Sequence, residues 1–434
     1  MIFNPELECM SRQELIQLQI ERLQSTLNRV YRNVAFYKHT FDKHNIDLEK
    51  IKNLKDLTNI PFTTRNDLGA SYPYDMFAVP LREIVRIHST SGTTAKPVVV
   101  GYTKNDLKAW SECSARLLSA GGVTAEDVVQ IAFPYNLFTG AFGFHQGAEK
   151  IGASVIPASL GQMERQLIIM KDYKTTILVS SPWFALQVCR ELEAKNIHPE
   201  TLLLKTGIFG SEPWSEAMRV KMEECLHIRS TDTYGLTEIM GPGVAGECQE
   251  KEGLHICEDH FLVEVINPQT LEVLPPGQEG ELVFTTITKE GFPLIRYRTG
   301  DISSIIEGAP CKCGRTTLRM KRISGRTDDM VFFKGQKLYP AQIEEILLAE
   351  EGIIPHFQIR LHTKDGEEHF EVHTEISEKV VAIDELKNLE NLKTRIKRHL
   401  EKTLGIEAKI TLLEPGSLRE KGKLKIKRVI DERE

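Results

Sequence analysis

The chain of 434 residues lacks most of the features that would set its class at once. No basic N-terminal stretch leads into an apolar run with a small-residue cleavage site, so no secretory leader is expected. No apolar run is long enough to span a bilayer, which points to a cytoplasmic protein with no membrane partner. Positive charge is not in excess: the formal net charge is -6, giving no support to a general nucleic-acid binder. The 8 cysteines are too sparse for a disulfide scaffold of this size. Their uneven placement, with Cys311 and Cys313 paired, suggests metal chemistry rather than oxidation. The usual phosphate-loop ending GK[ST] is missing, as is a dinucleotide glycine fingerprint. No short-period internal repeat is visible. What remains is a chain with 41% hydrophobic and 27% charged residues, enough for a substantial core and more than one domain.

The stretch Ser89-Thr90-Ser91-Gly92-Thr93-Thr94-Ala95-Lys96-Pro97 stands between two strand-like runs. Hydroxyls and backbone N–H groups can wrap phosphate oxygens, and a lysine can neutralise their charge. The glycine permits a tight turn facing the phosphate. Taken alone, the stretch is either a polar hairpin turn or a phosphate loop.

Apolar periodicity predicts a helix from Arg12 to about His39, with Ser11 and Glu14 able to cap its start. Thr64 and Asp67 form a weaker capping pattern. A helix is expected from Thr103 through Leu118. Strand and helix signals then alternate. Strands are expected at 128–133, 153–157, 176–179 and 202–209, with helices at 142–151, 162–173, 182–194 and 215–224. This alternation argues for a mostly parallel sheet covered by helices. After about Asp232 the texture changes to an antiparallel or barrel-like unit. Beyond a boundary near Gly325 to Asp329, the pieces fit a compact α+β domain. The fold class expected is therefore α/β: a large N-terminal domain (1–327) with parallel sheets and a barrel-like subdomain, plus a small mobile α+β C-terminal domain (328–434).

Six stretches occur in one order: Ser89 to Pro97, Tyr135-Asn136-Leu137-Phe138-Thr139-Gly140, Gly210-Ser211-Glu212-Pro213-Trp214-Ser215, Tyr234-Gly235-Leu236-Thr237-Glu238, Tyr297-Arg298-Thr299-Gly300-Asp301 and Gly325-Arg326-Thr327-Asp328-Asp329. Together they closely resemble the adenylate-forming superfamily and, within it, the phenylacetate–coenzyme A ligases. The resemblance covers nearly the whole chain. It implies formation of an acyl adenylate from a carboxylic acid and ATP, then transfer of the acyl group to coenzyme A.

Both reactants of the first step are anions, so charge must be neutralised and oxygens held in line. The resemblance assigns Ser89, Ser91, Gly92, Thr93, Thr94 and Lys96 to the pyrophosphate end of ATP. It assigns Gly210, Ser211 and Glu212 to an adenine wall, and Tyr234, Gly235 and Thr237 to the same nucleotide. Glu238 is similar to the family's magnesium-associated acid, and Asp301 to its ribose-binding carboxylate. Arg326 and Asp328 match the hinge motif: Arg326 is expected to reach the nucleotide as a catalytic and ATP/AMP-binding group, and Asp328 to be the hinge about which the C-terminal domain turns between the two half-reactions. The basic tail should carry the adenylation lysine. Matching from Gly422 selects Lys423; matching backward from Arg428-Val429 selects Lys425, which is preferred. Tyr135, Phe138, Gly140, Ala141 and Phe209 fall to an aryl-acid pocket, with Asn136 in place of the expected glycine. Phenylacetate leads among the acids, with indoleacetate, hydroxyphenylacetate and benzoate-like acids behind it.

Cys248, His255, Cys311 and Cys313 offer a Cys3His set of the type that holds structural zinc, with Cys257 and His260 as competing ligands. The expected reading is thus an ATP-, Mg2+- and coenzyme A-dependent ligase of a small aryl acid, carrying structural Zn2+. A homodimer is a further family expectation. Two alternatives stand beside it: an adenylating enzyme that delivers its acyl group to a carrier protein or an amine, and a non-catalytic, zinc-stabilised nucleotide-binding protein.

Overall fold

The computed structural model describes residues 1–90, 97–308, 310–327, 329, 331–334, 336–364, 367–377, 386–418 and 427–433. The chain divides into two compact units, Met1–Glu212 with Met222–Arg322, and Pro213–Lys221 with Ile323–Glu434.

In the larger unit, helix starts follow local side-chain chemistry. Ser11, Thr64 and Thr103 each accept a hydrogen bond from the backbone N–H three residues on, and Glu14, Asp67 and Asp106 reach back. These reciprocal bonds satisfy otherwise orphaned donors. The expected helix from Arg12 to His39 is in fact two, Arg12–Asn33 and Ala35–Lys43. Val34 between them takes extended dihedrals and sinks its β-branched side chain into the core.

The central sheet runs in the order Ser154–Ile156, Val128–Ala132, Ile177–Ser180, Thr206–Gly210, Arg229–Leu236, Gly241–Glu247, Leu254–Ile256, Arg319–Met320. The first five strands are parallel and the rest antiparallel. The strand expected from Leu202 begins only at Thr206, because Leu202 closes a turn onto Pro199 instead of joining the ladder. Chain order reverses at Val128–Ala132: the next strand lies on one side of it and the following one on the other. Such a switch point opens a crevice at the carboxyl ends of the strands, where α/β proteins bind ligands. A separate sheet places Gly280–Thr286 between Phe261–Ile266 and Tyr297–Ser303, antiparallel to both.

The smaller unit has the paired strands Ile353–Lys364 and Glu367–Ile376, flanked in parallel by Val429–Asp431 and Lys409–Leu413 respectively. Helices Pro340–Leu348 and Leu386–Leu404 contribute Ile343, Leu347, Ile396 and Leu400 to its core, with Phe357, Phe370 and Val372 from the strands. Among the described residues, no helix is long and apolar enough to cross a membrane.

Candidate active site

The carboxyl ends of the parallel strands carry the sequence motifs. Val128–Ala132 runs out into Tyr135 to Gly140, Thr206–Gly210 into Ser211-Glu212, and Arg229–Leu236 contains Tyr234-Gly235 and leads to Glu238. Hydrogen bonds then tie the motifs to one another. The Ser89 N–H donates to the Leu137 carbonyl at 3.0 Å. The Thr139 and Thr237 hydroxyls meet at 2.9 Å. Thr233 donates to the Phe209 carbonyl at 3.2 Å, and the Tyr234 hydroxyl donates to Asp301 at 2.8 Å. Stretches from 89 to 301 thus converge on one place.

Several backbone positions in this place are demanding. Gly235 lies so close to the Gly241 carbonyl oxygen that a Cβ there would overlap it, and only glycine fits. Gly300 has φ +78, a conformation glycine adopts without strain, and it turns the chain into Asp301. Ser211 takes φ +72 despite its side chain, which marks stored strain at the start of the Ser211-Glu212 loop. Glu212 accepts the Trp183 N–H at 3.1 Å, at the start of the helix Pro182–Ala194.

Tyr234 and Asp301 are both buried. The Tyr234 ring stacks on Phe284 with centroids 5.9 Å apart, which fixes the plane it presents. Glu238 is buried and paired with Arg65 at 3.1 Å. The turn behind Glu238 is held from below by two donors. Lys289 bonds the Ile239 carbonyl at 2.8 Å, and Tyr102 bonds the Met240 carbonyl at 2.8 Å. Lys289 is fully buried, its ammonium 4.4 Å from the Tyr102 ring centre; burial pulls its pKa down to about 7. Asp106 clamps the adjoining loop by accepting the N–H groups of Glu290 and Gly291.

The aromatic residues divide. Tyr135 and Phe138 pack against the cluster containing Ala141, Phe133, Phe144 and Ile208. Tyr135 is bonded to His145 at 3.0 Å and edge-on to Phe142. Phe209 is fully buried, but it alternates with Ile208 along its strand and so points to the other face of the sheet. His88, next to Ser89, shows no motif in sequence. It is buried against Tyr102, Trp110 and Phe142, and its Nδ1 bonds the Leu137 carbonyl at 3.1 Å. Burial drives its pKa down to about 4, so the ring is neutral at physiological pH.

Ser91, Gly92, Thr93, Thr94 and Lys96, together with Asp328, Lys423 and Lys425, lie outside the described residues. The strands flanking the first group are paired antiparallel with Ser89 opposite Val99. Arg326 is in a short strand of the smaller unit and is half-buried.

A second cluster lies apart from these motifs. Ligand atoms of Cys248, His255, Cys311 and Cys313 all fall within 4.8 Å of one another. The Cys248 and Cys311 sulfurs are 3.6 Å apart, and Cys313 Sγ is 3.4 Å from His255 Nε2. A disulfide would need about 2 Å between the sulfurs. The edge of a tetrahedron around a metal with bonds of about 2.3 Å is roughly 3.8 Å, close to what is seen. His255 Nδ1 is 3.2 Å from the Thr317 hydroxyl, the kind of outer bond that orients a ligating imidazole. Burial lowers the His255 pKa to about 3, leaving the ring in the neutral form that binds metal.

The parallel sheet, its switch point and the converging motifs define an AMP-binding enzyme. The chain matches the AMP-binding enzyme family over residues 16–288 and the AMP-binding enzyme C-terminal domain over residues 335–433. It is 43% identical to a phenylacetate-coenzyme A ligase of Thermus thermophilus, covering 99% of both chains. It is 42% identical to a phenylacetate-coenzyme A ligase of Aromatoleum evansii, covering 98% of this chain and 96% of that one. A solved 2-hydroxyisobutyryl-CoA ligase in the postadenylation state, in complex with R3-HIB-AMP, shares the fold with TM-score 0.90 and 25% identity, covering 99% of this chain and 92% of that one. The chain belongs to the phenylacetate-coenzyme A ligase family. It is an AMP-forming acid–CoA ligase, which makes an acyl adenylate with ATP and transfers the acyl group to coenzyme A.

Proposed function

We propose that the acid is an aryl or arylacetic acid, with phenylacetate the leading candidate. The aromatic pair Tyr135 and Phe138, just beyond the carboxyl end of the strand Val128–Ala132, carries this reading, supported by the relatives' activity. In the first half-reaction a carboxylate oxygen of the acid attacks the α-phosphorus of ATP, and pyrophosphate leaves. In the second, the coenzyme A sulfur gives up its proton and attacks the acyl carbon, and AMP leaves with its bonding electrons.

Within that scheme Asp301, steadied by Tyr234, accepts hydrogen bonds from the ribose hydroxyls. Gly210, Ser211 and Glu212 wall the adenine beside Gly235 and Thr237, and Ser89 to Lys96 hold the pyrophosphate end. Glu238, an oxygen donor beside Arg65, suits Mg2+, which would neutralise phosphate charge. Arg326 reaches the nucleotide, Asp328 is the hinge, and Lys425, with Lys423 as its rival, supplies the cation for adenylation. Tyr135, Phe138, Gly140 and Ala141 wall the aryl group, while Phe209, expected beside them, falls on the opposite face of the sheet and outside this wall. The Cys248, His255, Cys311, Cys313 cluster holds structural Zn2+; four protein ligands leave no position for a reacting water.

Acid-dependent ATP–pyrophosphate exchange over a panel of carboxylates tests the assignment. Exchange strongest with phenylacetate and close aryl analogues is expected. Exchange confined to aliphatic or amino acids would refute it.

A further inference from the structure

Glu375 is a carboxylate with 0% exposure near the end of the strand Glu367–Ile376. It belongs to none of the sequence motifs. Its Oε2 accepts from His356 Nδ1 at 2.8 Å, on the neighbouring strand. Its Oε1 accepts the backbone N–H of Leu418 at 2.7 Å. The Gly416 N–H is a further donor to the same group. Burial alone would raise the carboxyl, but these donors more than offset it and hold it below the usual range.

A buried carboxylate is an expensive way to fill a core, since an apolar side chain of similar volume would do as well or better. What this one does that an apolar group could not is grip backbone N–H groups of a distant loop with charge-assisted bonds. The loop it grips is a specific one. Glu414 to Leu418 is a turn, closed by Ser417 bonding the Glu414 carbonyl, with Gly416 at φ +84. Residues 419–426 follow, and the chain is held again immediately beyond them. Gln358 bonds the Lys427 carbonyl at 3.1 Å, Arg428 pairs with Glu344 at 2.9 Å and lies over the Phe357 ring, and Val429 pairs with Ile359. The return end is thus sheet and ion pair. The departing end is held by Glu375.

We propose that Glu375, backed by His356, is a positioning residue for the adenylation half-reaction, fixing Leu418, the residue directly before the lysine-bearing stretch 419–426. The inference rests on the reading that Lys425 or Lys423 serves adenylation. A side chain acting through that lysine should matter where charge builds between carboxylate and ATP. It should matter little when the coenzyme A sulfur attacks an acyl adenylate already made.

The test uses the full chain. Glu375→Gln keeps the shape and removes the charge. Acid-dependent ATP–pyrophosphate exchange is measured beside thioester formation from supplied acyl adenylate and coenzyme A. A fall of about 10- to 100-fold in exchange kcat is expected, of the size seen when an outer group that orients a functional side chain is lost. Thioester formation should stay within about twofold. Combining Glu375→Gln with the Lys423→Ala, Lys425→Ala double replacement should lower exchange no further than the double replacement alone, since groups acting as a unit are non-additive. Gly416→Ala is a second variant that leaves the core untouched. A Cβ there meets nothing within 4 Å, and only the positive φ is disturbed. It should give the same selective loss in milder form. Parallel loss of both half-reactions in Glu375→Gln with a lowered Tm, or no loss in either, overturns the inference while leaving the lysine reading intact. Unchanged exchange in the double lysine variant overturns that reading, and the inference with it.

Discussion

Lys289 shows what a single side chain does in a low-dielectric surrounding. Its ammonium is buried over an aromatic ring and bonds one carbonyl, and its pKa falls to about 7 from 10.5. Below pH 7 it is charged in both the folded and unfolded chain, and the full penalty of burying the charge is felt. Between about 7 and 10.5 the folded chain holds the neutral amine while the unfolded chain is protonated. The unfolded state then binds more protons, so stability rises with pH across that window. Lys289→Met removes this dependence. Urea unfolding of wild type and variant should show their difference shifting in favour of wild type by roughly 3 kcal/mol from pH 6 to pH 9, about 1.4 kcal/mol for each of the two pH units above the folded pKa. A difference that does not change with pH would contradict the burial account. Tyr234 offers a second residue-level test. Tyr234→Phe deletes its hydrogen bond to the buried Asp301, a loss of about 1–2 kcal/mol. If Asp301 is thereby freed to wander from the ribose, KM for ATP should rise about 5- to 30-fold with kcat little changed. A loss confined to kcat would place Tyr234 elsewhere in the reaction. Neither Lys289 nor His88 can be read from the sequence, because nothing in their spacing sets them apart. Their partners Ile239 and Leu137 lie 50 and 49 residues away.

Secondary elements were legible wherever the signal is local. The capping residues Ser11, Thr64 and Thr103 mark their helices, and the βα alternation from Val128 to Leu226 gives the parallel sheet. Signals failed where tertiary packing decides. Val34 interrupts a periodic pattern because its side chain is wanted in the core. Leu202 to Leu204 read as strand but never reach the ladder. Gly241–Glu247 and Leu254–Ile256 fall in the stretch whose texture changes, yet they extend the main sheet in antiparallel sense. These last two strands also carry the metal-type cluster: Cys248 follows one and His255 sits in the other, opposite the Cys311–Cys313 knuckle. Bound Zn2+ would stitch the segments together at their ends. Elemental analysis should find about one zinc per chain, and Cys311→Ser should lose it and destabilise the fold by several kcal/mol, roughly a fraction of a structural zinc site's binding energy. A metal-free wild type with unchanged Tm on treatment with chelator would contradict the zinc reading.

At the scale of the whole molecule, the chain folds as two compact units. The larger unit holds the groups that hydrogen bonds draw together between Ser89 and Asp301, while residues 213–215 at the end of the Gly210 motif belong to the smaller one. The smaller unit carries the tail, anchored at Leu418 and again from Lys427. The overall class was visible in the order of six motifs along the chain, and the proposed nucleotide groups rest on the same motifs. The acid is less legible, because Tyr135 and Phe138, the aromatic residues proposed to line its pocket, pack against the core like any other apolar side chains. The most direct measurement is product analysis by mass spectrometry after incubation with ATP, Mg2+, coenzyme A and phenylacetate. Phenylacetyl-CoA and AMP appearing in equal amounts, with neither formed when the acid is left out, is the expected result. AMP formed with the acid but no coenzyme A thioester, for phenylacetate or any other aryl acid, would contradict it.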